Sequence, residues 1–214
     1  MDLVMQAVDF ALHLDRHIGA LWTAYGLWLY AIVFFIVFAE TGLVVTPWLP
    51  GDSLLFVLGA LAAAGGPDVT VLITVLFAAA VIGNTSNYWI GRWIGPKVFH
   101  HEGGSRWLSR EMLDKTHGFY ERHGAVTVMV SRFLPLLRTF APFVAGIGAM
   151  PHGKFQLYSV LGGALWVGVF VLAGYFFGSI PVVKNNLPLV IVGVVIVSFM
   201  PLVIEFVRSR VARG

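Results

Sequence analysis

The chain has 214 residues, of which 58% are hydrophobic and 12% charged, with a mean hydropathy of +0.83 and a formal net charge of +3. A soluble domain carries about a quarter charged residues, so this composition excludes an ordinary water-soluble fold and points to an all-α polytopic membrane protein. The absence of cysteine further excludes disulfides, thiol catalysis and cysteine-ligated metals.

Residues 1–25 read as an amphipathic interfacial helix. Asp2, Gln6, Asp9, His13 and Arg16 recur on one helical face and Leu14, Ile18, Leu21 and Trp22 lie opposite, a pattern suited to lying in the membrane surface. No cationic stretch precedes it, so no cleavable signal peptide is expected. Residues 26–207 form one transmembrane domain and 208–214 a basic tail. Within the domain, 27–43 are apolar up to Glu40, the chain breaks around Pro47, Pro50 and Gly51, and 53–64 are apolar again. A turn at Gly65-Gly66-Pro67-Asp68 precedes a span over 69–91.

The polar loop 96–123 follows. Arg92, Lys97, Arg106, Arg110, Lys115 and Arg122 in and beside it, and Arg208, Arg210 and Arg213 at the end, place this loop and the C-terminus in the cytoplasm. The interspersed Glu102, Glu111, Asp114 and Glu121 argue against a nucleic-acid surface. His100, His101, His117 and His123 lack the spacing of a metal site, and no metal or cofactor is expected.

A second broken segment, 125–151, carries Arg132, Pro135, Arg138 and Pro142. Two spans complete the chain, at about 155–178 and 188–207. The arms of both broken segments are short for clean crossings, so each reads as a re-entrant hairpin, with a proline-kinked full span as the alternative. With one span between them they enter from opposite faces, the inverted-repeat plan of many transporters. The expected architecture is therefore two oppositely oriented re-entrant hairpins, about three spanning helices and the N-terminal amphipathic helix.

Only four charges fall inside the broken segments: Glu40 and Asp52 in the first, Arg132 and Arg138 in the second. Each charge at mid-helix costs about 2.5–3.5 kcal/mol on insertion scales, so these groups require partners in the protein, in freed backbone, or in a ligand. Two readings follow. Structural ion pairs would glue the hairpins together, although apolar residues would do so without the desolvation cost. A proton and substrate site would use Arg132 and Arg138 as anion ligands and Glu40 and Asp52 as carboxylates that change protonation. Pro50, Gly51, Asn84, Tyr88, Pro135 and Pro142 are candidates to line its cavity. Gly91-x-x-x-Gly95, Gly174-x-x-x-Gly178 and the stripe Ser159, Gly162, Gly163, Trp166 read as close helix packing.

The stretches ETGLVVTPWLPGDSLLFVLGAL, NYWIGRWIGPKVF, HGAVTVMVSRFLPLLRTFAPFVAGIGAM and WVGVFVLAGYFFG together resemble the DedA family of bacterial inner-membrane proteins, over nearly the whole chain. The resemblance implies a multi-pass inner-membrane transporter or flippase of phospholipid-like substrates that depends on the proton-motive force. It also implies that the essential acids are Glu40 and Asp52 and the essential arginines Arg132 and Arg138. Many members carry an acid where this chain has Asn84. The expected partners are membrane lipids, such as undecaprenyl phosphate or a phospholipid, and protons. No nucleic acid and no enzymatic activity are expected, and the oligomeric state is open. A small-ion/proton exchanger is the alternative function, and the same four charges would serve it.

Overall fold

The computed structural model describes residues 20, 22–43, 51–99, 126–178, 180, 183 and 193. Most of the expected helix over 1–25, Pro50, the loop histidines, nearly all of the span at 188–207 and the tail 208–214 lie outside the described residues. Among the described residues every regular element is helical, as the composition requires. The elements are α1 (Trp28–Gly42), α2 (Gly51–Ala63), α3 (Val69–Phe99), α4 (Val126–Val130), a 3-10 turn (Ser131–Phe133), α5 (Pro135–Ile147) and α6 (His152–Phe177).

Both breaks stand where proline and glycine put them. Helix α1 runs through an apolar sequence up to Ala39 and stops at Gly42, just past Glu40, with the Thr41 hydroxyl turned back onto the Val37 carbonyl at 2.8 Å. Its 15 residues and the 13 of α2 span only about 22 and 20 Å, short of a hydrocarbon core of about 30 Å. Helix α4 tightens into the 3-10 turn, Leu134 is extended, and Pro135 opens α5. That order follows from proline, which forces the preceding residue out of the helical region and suits a first helical position. By contrast Val69–Ile94 and His152–Phe177, 26 residues each, are long and apolar enough to cross a membrane.

Helix α3 outruns the expected boundary at residue 91, reaching Phe99. A helix once nucleated adds residues cheaply, and this one continues through Pro96 although proline lacks an N–H and crowds the preceding turn. At its other end the Asp68 carboxylate accepts hydrogen bonds from the Thr70 and Val71 amides at 2.9 and 3.0 Å, an N-cap that fixes where α3 begins. Exposed Trp28, Phe35, Trp93 and Phe176 are unlike a water-facing surface and suit hydrocarbon.

Contacts group the chain into two compact units: residues 1–35, 48–76 and 167–214 form one, and 36–47 and 77–166 the other. In the first, α2 is buried from Gly51 to Ala60. It meets the end of α6 along a seam of small residues, where a Cβ on Gly59 would strike the backbone of Val171 and Tyr175, one on Gly174 that of Phe56, and one on Gly178 would strike Ala60. The expected packing role of Gly174-x-x-x-Gly178 is therefore seen directly. At the turn after α2, the Asp68 amide donates to the Tyr30 hydroxyl at 2.8 Å.

The second unit holds the end of α1, most of α3, α4, the 3-10 turn, α5 and the start of α6. Gly91 abuts the Phe143 backbone, Gly146 that of Tyr88 and Arg92, and Gly83 the side chain of Thr41. An apolar cluster of Tyr88, Val128, Ala145, Met150 and Phe155 anchors α3, α4, α5 and α6 together. Helix α5 ends with the Met150 amide bonded back to the Ala145 carbonyl at 3.0 Å and Ala149 at a φ of 52°, a left-handed closing turn.

Candidate functional site: buried arginines beside a broken helix

The second unit brings Glu40 from the last turn of α1 to Arg138 from the first turns of α5, and the guanidinium Nη2 donates directly to the carboxylate Oε1. Both side chains are buried, at 0% and 2% exposure. Arg138 also lies over the indole of Trp166, with Cζ 4.8 Å from the ring centroid, a geometry that suits a cation on an aromatic face. One turn further along α5 stands Pro142, which has no N–H to offer the Arg138 carbonyl.

Arg132 is housed differently. It sits in the 3-10 turn at the break, 1% exposed. Its Nη2 donates to the Ser159 hydroxyl at 3.2 Å and towards the Ala80 carbonyl at 3.4 Å. Among the described residues no carboxylate forms a salt bridge with it. A Cβ at Gly162 would press on its Cδ, and one at Gly163 would stand 3.5 Å from Cζ, Nη1 and Nη2 alike. The face of the guanidinium therefore lies against the glycine surface of α6.

Four residues of α6 thus serve the two arginines: Ser159, Gly162 and Gly163 for Arg132, and Trp166 for Arg138. They are spaced i, i+3, i+4, i+7, one face of a helix. The sequence reveals this stripe but marks it only as packing. Its role as the wall of the arginine site depends on which helix lies opposite.

Asn87 is the residue that pattern reading undervalues most. Its amide nitrogen donates to the Thr41 carbonyl at 3.1 Å and to the Thr139 carbonyl at 2.8 Å. Those carbonyls belong to the residues immediately after Glu40 and Arg138, so one buried side chain on α3 clips together the two backbones that carry the ion pair. Asn84, one turn earlier, donates to Ser159 Oγ at 3.3 Å. Of the remaining candidates, Tyr88 is buried in the apolar cluster, stacks on Phe155 with centroids 4.4 Å apart, and donates its hydroxyl to the Met150 carbonyl at 2.5 Å. Gly51 and Asp52 open α2 in the first unit, with Asp52 7% exposed. Pro135 and Pro142 mark the start and the interior of α5.

Residues 49–176 match the VTT domain. The chain is 52% identical over 212 residues to Protein DedA of Escherichia coli, covering 98% of this chain and 96% of that protein. The chain belongs to the DedA family. This DedA-family chain is also 43% identical over 169 residues to an uncharacterized membrane protein of Mycobacterium leprae, covering 79% of this chain and 75% of that one. It is 36% identical over 178 residues to Inner membrane protein YghB of Escherichia coli, covering 83% and 78%. No solved structure matches it. The matched region begins within the first helix break, spans the second and contains Asp52, Arg132 and Arg138, while Glu40 falls within the near-full-length likeness to DedA.

Proposed function

We propose that this chain moves anionic lipids, such as undecaprenyl phosphate or a phospholipid, across the inner membrane at the expense of the proton-motive force, and so supports envelope integrity. The observation that carries the reading is the full burial of two arginines beside a helix break, with Glu40 on one of them. A buried cation is costly in a membrane, and such residues are retained where charge must be bound or moved. In this reading the α1–α2 and α4–α5 pairs are re-entrant hairpins that enter from opposite faces, the chain crosses the membrane several times, and its C-terminus is cytoplasmic. Arg132 and Arg138 attract the head-group phosphate while the tails stay in hydrocarbon. Glu40 and Asp52 take up and release protons as access alternates. Protonation of Glu40 weakens its hold on Arg138, which gives the cycle a step that responds to the gradient. No bond is made or broken, so the chain acts as a carrier and not an enzyme. The inner-membrane name of the relative YghB supports the location.

The test is lipid translocation in proteoliposomes of the purified protein, with undecaprenyl phosphate and fluorescent phospholipids, with and without a pH gradient. Wild type is expected to move lipid at a rate the gradient changes, and folded Arg132→Ala and Glu40→Gln proteins to lose at least ten-fold in rate. No lipid movement, together with ion-dependent proton flux reported by a pH dye, would replace this reading with a small-ion/proton exchanger.

A further inference from the structure

The two arginines differ in what remains of their hydrogen-bonding capacity. A guanidinium has N–H groups on three nitrogens. On Arg132 only Nη2 is engaged, by Ser159 and Ala80, while Nε and Nη1 have no hydrogen-bond partner among the described residues. The side chain is 1% exposed, so water at the surface does not solvate it.

The surrounding groups share a bias. Ser159 Oγ accepts from both Arg132 Nη2 and Asn84 Nδ2, which occupies its lone pairs and leaves the hydroxyl proton to be donated. Asn84 Nδ2 carries a second proton, and the buried Asn84 Oδ1 has no hydrogen-bond partner among the described residues. Donors therefore dominate around a single positive charge, and among the described residues no carboxylate forms a salt bridge with it. One face of the guanidinium lies against Gly163, so the free Nε and Nη1 protons are offered in its plane.

We propose that Arg132, Ser159 and Asn84 form an oxyanion subsite for one phosphate group, and that Asn84 sets its charge selectivity. Arg138, already held by Glu40 and Trp166, is the switched member of the pair and turns to the phosphate only once Glu40 is protonated. This division rests on the anionic-substrate reading above and goes beyond it by naming the subsite and its gatekeeper. Asparagine at position 84 keeps the subsite net positive. A carboxylate there would supply the counter-charge from within and compete with the ligand.

The test uses Asn84→Asp and Ser159→Ala in the full chain, because a loss in Arg132→Gln would not separate binding from folding, whereas an acid beside a buried arginine should not destabilise it. Binding of inorganic phosphate and of a short-chain phosphatidylglycerol is measured calorimetrically in detergent. Wild type is expected to bind, Ser159→Ala to bind several-fold more weakly, and Asn84→Asp at least ten-fold more weakly at pH 8. The Asn84→Asp loss should diminish as the pH falls and the new carboxylate protonates. Inorganic phosphate bound as tightly as the lipid, with the same response to the variants, would keep the subsite and remove the lipid reading. Asn84→Asp binding as wild type does at every pH would overturn the subsite, and unchanged lipid transport by that variant would leave the transport reading standing.

Discussion

The two compact units are packed by the same device and filled with different chemistry. In each, glycines let helix backbones touch: Gly59, Gly174 and Gly178 in the first, Gly83, Gly91 and Gly146 in the second. The first unit's described buried polar side chains are Asp52 and Ser53, side by side at the start of α2. The second buries Glu40, Thr41, Asn84, Asn87, Ser131, Arg132, Arg138, Thr139 and Ser159. Close packing therefore does not call for polar residues here, since the first seam achieves it with almost none. The second unit bears a desolvation cost that packing alone would not repay, and its polar groups are spent on holding charge beside a break.

The largest expected way to break this contrast is to remove one partner of the ion pair. Glu40→Ala leaves the Arg138 charge buried without that carboxylate and should lower stability by about 3–5 kcal/mol, read as unfolding of the detergent-solubilised protein. Changing both residues to leucine should recover much of that loss while transport stays absent. A double variant that transported normally would reduce the pair to glue.

Next in size are the seams. Gly59→Val and Gly146→Val each force backbones apart, and each should cost roughly 1–3 kcal/mol or more. Gly168→Ala, where an added Cβ meets nothing within 4 Å, should change stability by less than about 0.5 kcal/mol. Equal losses at Gly59 and Gly146 would confirm that packing is the shared device, and a much larger loss at Gly146 would tie the seam to the charge site.

The smallest stability effects should sharpen the contrast most. Hydrogen bonds within membrane proteins average about 0.6 kcal/mol, so Asn87→Ala should lose about 1 kcal/mol and Tyr88→Phe about half that. Their effects on transport should diverge far more. Asn87 positions the backbones that carry Glu40 and Arg138, whereas Tyr88 ties α3 to the turn after α5. A several-fold fall in lipid translocation for Asn87→Ala, beside near-normal rates for Tyr88→Phe, is the expected result. Equal rates would mean the clip is structural only.

The sequence by itself determined where the helices break, because proline and glycine act locally: α1 stops ahead of Pro47, and α5 restarts at Pro135. It also isolated Glu40, Asp52, Arg132 and Arg138, because charge is conspicuous against an apolar background. It placed part of the seams, at Gly91, Gly174 and Gly178, and it underestimated how far α3 continues past residue 91. The tertiary structure alone decided that Glu40 pairs with Arg138, 98 positions away, and that Arg132 rests on Ser159 and a glycine surface instead of an acid. It likewise made Asn87 the clip between the backbones that carry Glu40 and Arg138. Local periodicity states which face a residue occupies. Which helix covers that face is fixed only when backbones approach across the chain, and there the partner of each buried charge is chosen.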